Sequence, residues 1–164
     1  MKTVILVRHA KSSWSDASVT DFDRTLNGRG KKDAPVMARR LKEKGFSIDA
    51  FISSPAKRAL TTAEIFAEEF EIKKKRILTV EALYHASPAV FFELIGKLDD
   101  DTGTVVIFSH NPGITDFVNR LTDTRIDEMP TCAIFAAKAD CKKWSDFEAS
   151  EKTRVYFDYP KRAD

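Results

Sequence analysis

The chain has 164 residues, enough for one domain over 1–164 with a hydrophobic core of its own. Its 27 basic and 25 acidic residues leave a formal net charge of +2, so charge balance gives no case for a nucleic-acid or membrane partner. Two cysteines, Cys132 and Cys141, are too few for a secreted disulfide framework and read as reduced thiols.

Thr3 to Val7 is a short β-branched apolar run without alternation, the pattern of a strand buried on both faces of a parallel sheet. Its Val4-Ile5-Leu6-Val7 core is too short for a signal peptide, and no stretch nears the ~18 apolar residues of a membrane span. The expected location is therefore the cytoplasm. Ser12 to Arg24, with Trp14 and Phe22, reads as a long polar loop, and loops of that length tend to carry function. Ala34, Met37, Ala38 and Leu41 share one helical face. Gly45 is placed to end that helix, and Pro35 predicts either its start or a kink. Ala50 to Ile52 is a second strand. Ser54 is a plausible helix cap with Pro55 at the first helical position, and Ile65, Phe66 and Phe70 mark that helix's apolar face.

The basic run Lys73 to Arg76 has no interleaved aromatics and reads as a solvated loop rather than a nucleic-acid patch. Ile77 to Leu83 is a weaker strand. Ser87-Pro88 opens a helix over Ala89 to Leu98, Thr104 to Phe108 is another buried strand, and Asn111-Pro112 repeats the cap signal ahead of Ile114 to Leu121. Cys132 to Lys138 and Thr153 to Tyr159 close the chain as two strands. Strands alternating with helices predict an α/β fold with a mostly parallel sheet covered on both faces.

In such sheets ligands bind beyond the carboxyl ends of the strands. Arg8-His9 and Ser109-His110 both stand at such ends. Lys57 and Arg58 fall in the first turn of a helix, where the dipole disfavours cations by up to about 1 kcal/mol each. An arginine so placed should cost stability in an empty site, and a bound anion would remove the conflict. The three segments together point to a phosphate-sized anion. His85 completes no His/Cys/carboxylate spacing of a zinc site, so no metal or cofactor is expected. GxxxxGK[ST], GxGxxG and GxSxG motifs are absent.

Arg8-His9-Ala10, Ser53-Ser54-Pro55-Ala56-Lys57-Arg58-Ala59 and Ser109-His110-Asn111-Pro112 together resemble the histidine phosphatase (phosphoglycerate mutase-like) superfamily. Arg-His-Ala-Lys-Ser-Ser-Trp over 8–14, Leu26-Asn27-Gly28-Arg29-Gly30 and Leu83-Tyr84 narrow the resemblance to its SixA-type branch of small phosphohistidine phosphatases. The likeness runs over roughly residues 3–135. It implies a three-layer α/β/α sandwich, a metal-independent reaction, His9 as nucleophile, and Arg8, Arg58 and His110 as phosphate pocket. It adds Lys11, Ser12 and Asn111 as substrate-binding candidates. The mutase branches carry a tryptophan–glutamate–glycine segment that supplies a general acid. Here the corresponding stretch offers only Glu81 and Glu93, and Glu81 is the better candidate acid. Without a dedicated acid, the expected substrate has an easily expelled leaving group: phosphohistidine on a protein partner. A small phosphorylated substrate is the alternative, and a phospho-binding module without catalysis is a third reading.

Overall fold

Alternate residues of the first strand feed two separate cores. In β1 (Lys2–Arg8), Val4 and Leu6 join one buried cluster while Ile5 and Val7 join the other, as the two-residue period of a strand requires. The computed structural model describes residues 1–162 and continues with α1 (Gly28–Glu43), β2 (Ala50–Ser53), α2 (Lys57–Glu69), β3 (Leu78–Thr79), α3 (Pro88–Gly96), β4 (Thr104–Ser109), α4 (Gly113–Leu121), β5 (Ile134–Ala139) and β6 (Lys152–Asp158). The sheet order is β3-β2-β4-β1-β5-β6. Strands β3, β2, β4 and β1 run parallel, and β5 and β6 are antiparallel additions.

Met37, Leu41 and Phe66 from α1 and α2 cover one face, and Phe91, Ile95, Phe117 and Val118 from α3 and α4 cover the other. The result is the three-layer α/β/α sandwich expected, with β1 and β4 at its centre. No helix among the described residues is long and apolar enough to cross a membrane.

Local details depart from expectation for identifiable reasons. Helix α1 starts at Gly28, well before Pro35, because the Asn27 side chain accepts from Gly30 N at 2.8 Å and caps it. Pro35 sits inside, forgoing one helical hydrogen bond. The expected strand over Ile77 to Leu83 shrinks to two residues, since Glu81 to His85 winds into a 3-10 turn that buries Leu83. Helix α2 starts two residues later than predicted, with Ala56 as an uncapped N-terminal flank. The Ser54 hydroxyl accepts from Ala56 N at 3.2 Å, as a cap would, and also meets His110, but the helix proper opens only at Lys57. Asn111-Pro112 does not cap α4 as predicted either. Pro112 takes the flanking position, and the Asn111 side chain is engaged by Thr115 and Met129.

Two glycines bring helices against site loops more closely than any other residue allows. A Cβ at Gly30 would collide with the Lys11 carbonyl, and one at Gly113 with the Ala86 carbonyl. Gly30 thereby seats α1 on the segment that follows His9.

Candidate functional site

The register pair Arg8↔Ser109 ends the ladder between β1 and β4, and the next residue on each strand is a histidine. His9 N donates to Ser109 O at 3.2 Å, so the two strands stay paired to the lip of the sheet. The imidazole rings of His9 and His110 lie 5.2 Å apart between centroids. The first turn of α2 brings Arg58 between them and the rim. His9, Arg58 and His110 are 6%, 6% and 7% exposed, so all three are desolvated polar groups. Lys57, the other first-turn cation, is exposed.

Hydrogen bonds decide which nitrogen of His9 carries the proton. Nδ1 lies 2.8 Å from the Ala10 carbonyl, which can only accept, so Nδ1 carries the proton and Nε2 the lone pair. Ala10 is itself pinned by its N–H to Thr62 Oγ1 at 3.0 Å. Arg58 Nε points at His9 Nε2 from 3.4 Å. In His110, Nε2 lies 2.7 Å from Ser54 Oγ. Ser54 Oγ also accepts from Ala56 N at 3.2 Å, so one hydroxyl links the His110 ring to the segment that leads into α2.

His110 Nδ1 is one of four buried side-chain nitrogens without a hydrogen-bond partner among the described residues. The others are Arg8 Nε and the Nε and Nη1 of Arg24. Buried donors without partners are rare, and each calls for an explanation. Here they belong to one cationic cluster. Burial first, and then Arg58, lower Arg8 against the pull of Glu128, and burial and Arg58 likewise lower Arg24. Arg8 is anchored by Nη1 to the Met129 carbonyl at 2.8 Å, and Arg24 lies 3.4 Å over the Trp14 ring.

A carboxylate missed from the sequence completes the cluster. Asp21 accepts from Arg58 Nη2 through Oδ2 at 3.0 Å, and its carbonyl accepts from Arg58 Nη1 at 2.6 Å. Tyr84 donates to the same Oδ2 at 2.5 Å, and this bond, with Arg58 and Arg24 nearby, holds the carboxyl below its usual range. The cation at the α2 N-terminus is thus offset in the empty site, contrary to the sequence expectation. Thr20-Asp21-Phe22-Asp23 carries the signal of a capped turn, though not of its contact with Arg58. Thr20 accepts from Asp23 N and caps a 3-10 turn that presents Asp21.

The other predicted residues fall around this centre. Asn111 donates to Met129 O at 3.0 Å, the carbonyl that also anchors Arg8, so its side chain steadies Arg8's support. Ser12 is buried in an isolated bridge to Leu26, and Lys11 is half-buried beside it. Glu81 is exposed, outside the hydrogen-bonded cluster; the carboxylate brought to Arg58 is Asp21. Among the described residues no group of three His, Cys, Asp or Glu is placed to hold a metal ion.

Burial, first of all, holds His9 well below the usual 6.5, with His110, Arg58 and Arg8 pushing the same way against the Ala10 hydrogen bond. Burial and then Arg58 lower His110 to about 3. Both rings are therefore neutral in the fold at pH 6, whereas in the unfolded chain they protonate below 6.5. The unfolded state then binds more protons, and stability must fall as pH drops through that range. We expect about 1 kcal/mol of lost stability per histidine between pH 7.5 and 5.5. Urea denaturation at the two pH values measures it, and His110→Gln should remove its share. An unchanged midpoint in wild type would show that the rings are not buried neutral.

The family model of the histidine phosphatase superfamily (branch 1) matches residues 4–84. An uncharacterized protein of Mycobacterium tuberculosis is 27% identical over 165 residues, covering 94% of this chain and 100% of its own. SixA from Agrobacterium tumefaciens superposes with a TM-score of 0.81 at 23% identity, over 97% of this chain and 98% of that one. The protein histidine phosphatase SixA complexed with tungstate gives 0.81 at 22% identity, over 96% and 97%. At these identities the two structures establish the shared fold.

Proposed function

This chain belongs to the histidine phosphatase superfamily, and from that premise we propose that His9 Nε2 is the nucleophile of a metal-independent phosphatase that acts on phosphohistidine. The observation that carries the reading is the pair of uncommitted buried nitrogens, Arg8 Nε and His110 Nδ1, in the same cluster as a histidine whose lone pair is fixed on Nε2. Desolvated donors and a neutral imidazole are what an incoming phosphoryl group requires.

The lone pair of His9 Nε2 attacks phosphorus, the bond from phosphorus to the leaving group breaks, and the charge on the non-bridging oxygens is met by Arg8, Arg58 and His110. The Nδ1–H bond to Ala10 grows stronger as the ring becomes cationic. Water then attacks phosphorus, the N–P bond breaks, and inorganic phosphate leaves while His9 returns to its neutral form. Glu81 is exposed and makes no side-chain hydrogen bond to this cluster among the described residues, so a leaving group that needs little acid help suits the site. An imidazole is such a group, and the likeness to a protein histidine phosphatase agrees with it.

Wild type mixed with a labelled phosphohistidine peptide and quenched in alkali should carry acid-labile phosphate on His9, located by mass spectrometry. Label on another residue would refute the mechanism. Faster turnover of sugar phosphates than of the peptide would move the substrate class to small molecules.

A further inference from the structure

The guanidinium groups of the cluster are paired with carboxylates of the chain itself. Arg58 holds Asp21 through both terminal nitrogens. Arg24 Nε lies 3.4 Å from Asp21 Oδ1, and Arg8 Nη1 lies 3.7 Å from Glu128 Oε1. Asp21 and Glu128 are both exposed, at the rim rather than beneath it. A cleft of about 300 Å³ opens beside His110, walled by Tyr84, His85, Asn111 and a third exposed carboxylate, Asp116.

With His9 and His110 neutral, three guanidiniums face the two carboxylates of Asp21 and Glu128, a net charge of +1. One phosphate dianion already exceeds that. A substrate with a second anionic group beside its phosphate would set that group against Asp21, Glu128 or Asp116. A neutral or cationic neighbour meets the same residues without penalty or with gain. The Tyr84 hydroxyl and the Asp21 backbone keep the Asp21 carboxylate at the rim, so its charge is a fixed part of the opening.

Building on the phosphatase reading, we infer that Asp21, supported by Glu128, is a charge filter: the site selects phosphoryl compounds whose leaving group is neutral or cationic and rejects those with a second anion close to the phosphate. Imidazoles and amine-bearing groups fall in the accepted class, and sugar-acid phosphates and bisphosphates in the rejected one. Like charges set a few ångströms apart at a half-solvated rim discriminate by roughly tenfold.

Three aryl phosphates test the filter, since 4-carboxyphenyl, phenyl and 4-(aminomethyl)phenyl phosphate expel phenols of similar basicity and differ in the charge at the far end. For wild type at low ionic strength, kcat/KM should rise in that order with about tenfold between the extremes. The span should narrow as salt is added. Asp21→Asn and Glu128→Gln keep side-chain size and should each shrink the span by about threefold. Because the readout is a ratio within one enzyme, any general loss from disturbing Arg58 cancels. Equal rates on all three compounds, or a span that neither variant changes, would overturn the filter and leave the phosphatase reading intact. No turnover by wild type of these compounds or of the phosphohistidine peptide would overturn that reading and the filter with it, and turnover of the peptide alone would overturn the filter.

Discussion

Replacing His9 with alanine should lower kcat by about 10⁴-fold or more, because a covalent route loses the atom on which its intermediate forms. Little else should change. The His9 ring bonds to the neighbouring Ala10 carbonyl and accepts a long bond from Arg58 Nε, and its backbone bonds to Ser109 O and from Cys132 N do not involve the ring. Circular dichroism should match wild type, and stability at pH 7.5 should stay within about 2 kcal/mol. The variant should also be less sensitive to acid, since one buried neutral imidazole is gone. Turnover that survives in His9→Ala would place the nucleophile elsewhere, with His110 the next ring in the cluster.

Arg58→Ala should lower activity by about 10²–10³-fold, the loss typical of a donor aimed at developing charge. It should also lose the rise in melting temperature that tungstate gives wild type, which amounts to about 2.7 kcal/mol when the ligand is at a hundred times its Kd. A third effect follows from Asp21. Arg58 grips that residue by carbonyl and carboxylate together, so without it the turn at Thr20 to Arg24 loses its tether to α2. The amides of Asp23 and Arg24, which bond to Thr20 O and Asp21 O, should exchange faster with solvent. Arg58→Lys restores the charge but not the two-pronged grip, and should recover the tethering only in part. Equal tungstate stabilisation of Arg58→Ala and wild type would exclude this arginine from anion binding.

The fold was legible wherever a buried strand or helix carried its own pattern. Thr3 to Val7 and Thr104 to Phe108 read correctly because both faces of those strands are covered, leaving no alternation to mislead. Their adjacency explains why His9 and His110 meet. The segment after Ile77 did not read correctly: an apolar run serves a two-residue edge strand and a tight turn as well as it serves a longer strand. Arg8, His9, Arg58 and His110 could be gathered from strand ends and a helix start, features visible in order along the chain. Asp21 could not, because its contact with Arg58 joins a loop to a helix 37 positions away. Ser54 was misread for a related reason. Its hydroxyl does take the Ala56 amide, but the helix opens two residues late and the second partner, His110, arrives from another strand.

The rim segment is clipped at its base by Ser13 N to Thr25 O at 2.8 Å and by the Ser12–Leu26 bridge. Everything between is a closed excursion, whereas the two histidines ride on the central strands. Heritable change can therefore act on the two parts separately. Insertions, deletions or new charges between Ser13 and Thr25 can redirect what meets the rim while the sheet that carries the two histidines is inherited unchanged. A lineage built on this plan can diversify its diet without reinventing its chemistry.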